Sequence, residues 1–164
     1  MNKVSSLFLA AALCVAATAH ATDRLQIQAV FSKDGQVLST QTQEVGPGET
    51  AHFSKTEPKE FDVSASGNSK GIKVEKEIRN LGFTADVTAR VLSTGDVKLF
   101  VKGLYTEAQT SNEVKTLGVK LKLPNVRSYT LGRDVIVDED GKASFGTDGD
   151  KDPKLQLDVT VKRL

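Results

Sequence analysis

The chain has 164 residues, 22 basic against 21 acidic side chains, a formal net charge of +1 and a single cysteine. That balance, with no run of Lys and Arg interleaved with aromatics, excludes nucleic acid as a partner. Tryptophan is absent and there are two tyrosines and two histidines, which leaves few residues for metal, nucleophilic or sugar-stacking chemistry.

Met1-Asn2-Lys3 is a short positive segment, Val4 to Thr18 is apolar or small, and Ala19-His20-Ala21 has the small-x-small pattern that signal peptidase reads. Together they predict a cleavable secretory signal peptide over residues 1–21. The apolar run is shorter than the ~20 residues of a spanning helix and nothing later matches it, so no transmembrane segment is expected in the mature chain. Cys14 follows Ala11-Ala12-Leu13, and Leu13 is too large for the small residue that precedes a lipidated cysteine. Cys14 is therefore expected to leave with the signal. The mature protein, Thr22 to Leu164, then holds itself together by core burial without disulfides. Its expected location is the periplasm or the exterior of a Gram-negative cell.

Leu25, Ile27, Ala29 and Phe31 alternate with polar residues, the period of a half-buried strand. Lys33-Asp34-Gly35-Gln36 predicts a hairpin turn, and Val37 to Val45 a polar strand ended by Gly46-Pro47-Gly48. Ala51 and Phe53 flank His52, and Phe61, Val63 and Ala65 mark a further strand. Ile72 and Val74 open a segment ending near Asn80. A long alternating run follows through Phe83, Ala85, Val87, Ala89 and Val91. Thr94-Gly95-Asp96 turns the chain onto Val97, Leu99 and Val101. Thr106 to Lys115 has no apolar stripe and predicts a long polar loop. Leu117, Val119, Leu121 and Leu123 share one phase until Pro124 is expected to stop the strand. Tyr129 and Leu131, Val135 and Val137, then Leu155, Leu157, Val159 and Val161 complete the pattern.

So many alternating segments between turn signals predict an all-β fold, an antiparallel β-sandwich (immunoglobulin-like or similar), in one domain over residues 22–164. The expected core is Phe31, Phe53, Phe83, Val87, Leu99, Val101, Leu121, Leu157 and Val159. A small outer-membrane β-barrel also alternates, but it wears aromatic girdles, and this chain is aromatic-poor and ends Val161-Lys162-Arg163-Leu164.

Once the signal is gone, His52 is the remaining histidine. It sits on the polar side of its strand, and nothing nearby resembles a nucleophile elbow. A single His does not make a zinc site. No catalytic residue and no cofactor are expected. Two carboxylates suffice for a glycosidase, so a carboxylate-based hydrolase is the alternative reading.

The stretch DEDGKASFGTDGDKDP, Asp138 to Pro153, poses the metal question. Asp148, Asp150 and Asp152 occupy the first, third and fifth places of a calcium loop. Pro153 stands where that loop needs glycine and Val159 where it needs glutamate, which rules out an EF-hand. Asp138 and Asp140 lie beyond a short strand, Lys142 to Phe145, roughly 15 Å away at the rise of a strand. Two polar turns, Asp138-Glu139-Asp140-Gly141 and Thr147 to Pro153, are expected, the first a hairpin turn and Pro153 opening the final strand.

The mature chain resembles the small secreted β-rich proteins of unknown function that Gram-negative bacteria export. Gly82-Phe83-Thr84-Ala85, Thr94 to Leu99, Leu123-Pro124-Asn125-Val126 and Leu157 to Val161 are similar to the strand-rich core of secretins. The resemblance implies a shared strand pattern. The expected role is a non-catalytic binding or structural module of the cell envelope. Its partner would be an envelope or extracellular protein or glycan, engaged through loops or a strand edge.

Overall fold

A computed structural model of the chain describes residues 24–68, 71–147 and 153–164. The signal peptide read from residues 1–21, and the calcium candidates Asp148, Asp150 and Asp152, lie outside the described residues. Nine strands run in chain order: β1 (Leu25–Lys33), β2 (Gln36–Val45), β3 (Thr50–Asn68), β4 (Gly71–Val91), β5 (Val97–Thr116), β6 (Val119–Leu131), β7 (Asp134–Val137), β8 (Lys142–Gly146) and β9 (Leu155–Arg163). One sheet has the order β2-β1-β9-β8; the other has β3-β4-β5-β6, with β7 beside the first part of β5. All pairings among the described strands are antiparallel, and the two sheets form a β-sandwich, as the alternation predicted.

The local rules act as expected in the first sheet. Asp34 and Gly35 have φ of 51° and 81°, left-handed at both central turn positions, which matches the twist of the joined strands. Ile27, Ala29 and Phe31 on β1 stand opposite Val161, Val159 and Leu157 on β9, and these six are buried together with Leu25 and Leu155. From the other sheet come Ala51, Phe53, Phe83, Ala85, Val87, Ala89, Leu99 and Val101. Phe31 stacks on Phe83 across the sandwich, centroids 4.2 Å apart and planes 5° from parallel. Each of these large apolar side chains contributes about 1.5–3 kcal/mol by leaving water.

The side of the sandwich where β2 and β3 run together is closed by side chains. Gln41 donates to the Ser54 carbonyl at 2.9 Å and accepts from the Ser54 N–H at 3.3 Å. Gln43 does the same for His52, at 2.5 and 3.0 Å. Two amides thus satisfy main-chain groups of β3 that would otherwise offer a free edge.

Three strands are far longer than the usual five or six residues: β3 has 19, β4 has 21 and β5 has 20. Pairing between β4 and β5 runs from Val91–Val97 only to Gly82–Thr106. Beyond it β4 stays with β3 and β5 with β6, so the sheet forks into two hairpin arms. Gly82 marks the fork. Its φ is 124°, and a Cβ there would stand 2.2 Å from the Lys55 carbonyl oxygen, so an L side chain is excluded by both conformation and space.

The arms correct four expectations. Thr106 to Lys115 is strand and not a loop: in a two-stranded ribbon with both faces wet, period-two hydrophobicity has no core to answer to. The segments Phe61–Ala65 and Ile72–Asn80 are not separate strands but continue β3 and β4. Pro124 does not end its strand. It lies opposite the register shift between Gln109 and Asn112 on a sheet edge, where its missing N–H breaks no ladder bond. Leu121 is buried, but outside the main core. Phe61 on β3 and Leu121 on β6 are the buried apolar residues outside that cluster, and the arms approach through these two strands, with the Lys122 N–H 3.5 Å from Asp62 Oδ2.

The turn at Asp138–Gly141 forms, its Gly141 N–H donating to the Asp138 carbonyl at 2.9 Å. It does not make a hairpin, because β7 pairs with β5 while β8 pairs with β9, so this turn carries the chain from one sheet to the other. On β8, Ala143 and Phe145 are buried and Ser144 faces outward, as the alternation predicted. Pro153 stands just ahead of β9.

Gly82→Ala should cost about 3 kcal/mol, read as a lowered urea midpoint; an unchanged midpoint would mean the fork does not need glycine. A second test concerns Asp158 on β9. Burial alone would raise its pKa, but Gln156 (2.9 Å), Ser144 (2.6 Å) and the Lys142 ammonium (3.0 Å) outweigh it and hold the carboxyl below its ordinary value. A depressed pKa contributes stability above the unfolded value near pH 4, which is lost as pH falls through the folded value. Asp158→Asn should therefore be less stable at pH 7 and show a flatter urea midpoint between pH 5 and pH 2.5.

Candidate functional site

The fork opens a cleft of about 600 Å³ where the arms leave the sandwich. Phe31, Phe83 and Tyr105 line its inner part, and Leu38, Lys55 and Glu57 stand among the residues around them. The parity of the strands explains the mixture. Phe53 and Phe83 are the last core residues before the arms, and the next inward positions on β3, Lys55 and Glu57, have no opposing sheet to bury them. The same phase that makes core inside the sandwich makes a charged wall outside it.

An aromatic file runs from core to surface. Phe31 and Phe83 stack, Tyr105 tilts against Phe31 at 5.3 Å, and Tyr129 lies 6.3 Å from Tyr105. Tyr105 and Tyr129 are cross-strand neighbours on β5 and β6, within the 4.5–7 Å over which aromatic pairs attract. Lys33, at the end of β1, closes the file. Its ammonium sits 5.3 Å from the Tyr105 ring centroid and donates to Glu107 Oε2 at 2.5 Å and to the Tyr105 hydroxyl at 3.4 Å. The Tyr129 hydroxyl donates to the other oxygen of Glu107 at 3.4 Å, and the Arg127 guanidinium covers the Tyr129 ring at 5.0 Å.

The hydrogen bond that Lys33 donates to Glu107 raises the Lys33 pKa, against a smaller opposing effect of burial, with Tyr105 adding to the rise. Burial pushes the Tyr129 phenol up as well, with Arg127 opposing. Lys33 is thus held protonated, unsuited to act as an amine nucleophile, and both Glu107 oxygens are engaged. This group pins β1 to the root of the second arm and sets the shape of the cleft.

Sequence reasoning missed this site. Glu107 fell in the segment read as a loop, and Lys33 looked like a turn residue. The available signal was that both tyrosines sit on apolar-phase positions with a charged residue two places away.

His52 lies on an exposed strand face, as expected, but with a partner: its Nδ1 is 2.7 Å from Asp86 Oδ1 on β4. The neighbouring Thr50 and Thr88 hydroxyls bond to one another at 2.6 Å, so these hydroxyls already have partners. Asp138 and Asp140 are exposed in their turn. Among the described residues no three His, Cys, Asp or Glu side chains gather as a metal site would need.

No family model matches the chain, and no curated protein does. Solved structures give a distant likeness to secretins. The secretin-domain β-barrel of InvG from the Salmonella SPI-1 injectisome NC-base is 11% identical, with a TM-score of 0.42, over 86% of this chain and 57% of that one. The injectisome secretin InvG determined by cryo-electron microscopy is 10% identical with the same TM-score, over 87% and 61%. InvG in the atomic model of the basal body with PrgH and PrgK gives 10%, 0.42, 87% and 43%. The chain spans less than two thirds of these chains, and the likeness concerns β architecture alone.

Raised folded pKa values mean that Lys33 and Tyr129 contribute stability below their unfolded values near pH 10, lost as pH rises through the folded ones. Melting temperature should therefore fall above pH 10. Glu107→Gln should lose on the order of 1 kcal/mol at pH 8 and show a shallower alkaline fall. An identical alkaline slope in both proteins would remove Glu107 from this role.

Proposed function

We propose that the protein is a non-catalytic binding module of the cell envelope, exported by its N-terminal signal, that takes an extended segment of a protein partner in the cleft at the fork. The observation that carries this reading is the conjunction of a cleft with both apolar and charged walls and free strand edges at its rim. Beyond Gly82 and Thr106 the edges by which β4 and β5 pair in the sandwich have no strand partner among the described residues. An incoming extended peptide would find main-chain partners there, and Leu38 and Tyr105 would receive its alternate side chains. A protein segment is favoured over a glycan because Phe31 and Phe83 spend their faces on each other, leaving no open ring platform for a sugar. The carboxylate-hydrolase alternative finds less support, since Glu107 is held by Lys33 and Tyr129. The envelope location rests on the sequence of residues 1–21; no helix among the described residues is long and apolar enough to cross a membrane.

The test is photocrosslinking in cells from a benzophenone side chain at Leu38, compared with one at exposed Ile136. A discrete envelope-protein adduct from Leu38, absent from Ile136 and lost with Leu81→Asp, is the expected result. The mass of the recovered chain should correspond to cleavage after Ala21. Equal labelling from both positions, or an uncleaved cytoplasmic chain, would overturn the proposal.

A further inference from the structure

The edge of β4 that meets β5 inside the sandwich runs on along the first arm from Leu81 to Gly71, beyond the cleft. On β3, His52 and Ser54 turn their main-chain groups away from β4, where Gln41 and Gln43 meet them. The residues between and beyond them, Ala51, Phe53 and Lys55, therefore turn theirs toward β4, onto Val87, Ala85 and Phe83. By the alternation of antiparallel pairing, even-numbered residues of β4 point away from β3. In the sandwich those groups meet β5. In the arm, Ile72, Val74, Lys76 and Ile78 have no strand beside them among the described residues.

Two other edges are blunted. That of β3 is covered by Gln41 and Gln43 and interrupted by Pro58, and β6 carries Pro124. The arm edge of β4 has no proline, and two of its cations are already paired, Lys76 with Glu60 and Arg79 with Glu77. Its outer face also holds the most exposed large apolar residue described, Ile78 at 68%, with Ile72 at 46%. An unblunted edge beside exposed isoleucines is the arrangement soluble chains avoid unless another strand covers it.

We propose that this edge pairs with the same edge of a second copy, antiparallel about a two-fold axis through Glu75. The sequence selects the register. With the axis at Glu75, Ile72 faces Ile78 of the second copy and Lys73 faces its Glu77, each twice by symmetry. The even-numbered residues, whose groups are free, are then the hydrogen-bonded pairs. Moving the axis to Lys76 sets Lys76 against itself and Glu75 against Glu77. Moving it to Val74 sets Ile72 against Lys76 and leaves Ile78 without an apolar neighbour. The chosen register has one unfavourable pair, Glu75 against Glu75, flanked by the two lysines. One added strand pair is a small interface, so the dimer is weak and concentration-dependent. The cleft touches this edge only at Leu81 to Phe83, at the base of the arm, whereas the proposed pairing is centred on Glu75 further along it.

Sedimentation equilibrium of the purified protein, from micromolar to near-millimolar concentration, tests it. The parent should dimerise reversibly, Ile78→Lys should stay monomeric, and Lys73→Glu should weaken the dimer about tenfold by opposing like charges. Lys73→Glu combined with Glu77→Lys restores the pair in reversed sense and should recover the dimer. Glu75→Gln removes the one repulsive pair and should tighten it. All of these positions are exposed or half-buried on the arm, and unchanged circular dichroism and melting confirm that each variant is folded. A parent monomeric across the whole range, or a dimer indifferent to Ile78→Lys and to the charge swap, overturns the proposal.

Discussion

Main-chain hydrogen bonding between β4 and β5 stops at Gly82 and Thr106, and the rest of the molecule is arranged around that stop. On one side the two strands belong to a five-stranded sheet packed on a four-stranded one. On the other they part company, each keeping only its hairpin partner. The cleft lies in the angle, the aromatic file lines it, and the Lys33–Glu107 pair ties the first sheet to the diverging strand. Gly82 permits the parting because its backbone adopts a conformation, and a closeness to Lys55, that no side chain tolerates.

The energetic contrast between the two halves follows. The sandwich buries a continuous cluster of Phe, Leu, Ile, Val and Ala from both sheets, enough apolar surface to set register and face on every strand that contributes. The arms bury Phe61 and Leu121 and otherwise rely on ladder bonds, cross-strand ion pairs such as Lys76–Glu60, and turn geometry. Exposed ion pairs are individually weak, so the arms are the parts most open to adjustment by a partner. Leu117 at the tip of the second arm shows the same latitude. It is exposed and held at a φ of 51° next to Gly118, a left-handed conformation that bulky residues rarely adopt.

The edges are managed unevenly. Glutamine amides imitate a neighbouring strand for β3, and prolines interrupt β3 and β6. These devices guard the sandwich and the far side of each arm. They are missing along the edges of β4 and β5 beyond Gly82 and Thr106, where main-chain groups remain available among the described residues. The protein thus blunts the edges of β3 and β6 and leaves main-chain groups available along the arm edges of β4 and β5.

By itself the sequence determined the sandwich. Of the nine core residues expected from alternation, eight, on β1, β3, β4, β5 and β9, lie in the core cluster, since a strand with one face in a core must repeat every two residues. Asp34-Gly35 and the short strand β8 were legible for equally local reasons, turn chemistry and parity. Only the tertiary structure decided the arms. A ribbon solvated on both faces has no burial to impose a period, so Thr106 to Lys115 read as a loop and β3 and β4 each read as two segments. It also decided that Asp138–Gly141 crosses between sheets, because a turn's own residues do not specify which strand lies beyond it. The Lys33–Glu107–Tyr129 group was hidden for the same reason: its members are separated by dozens of residues, and their meeting depends on where one sheet divides above another.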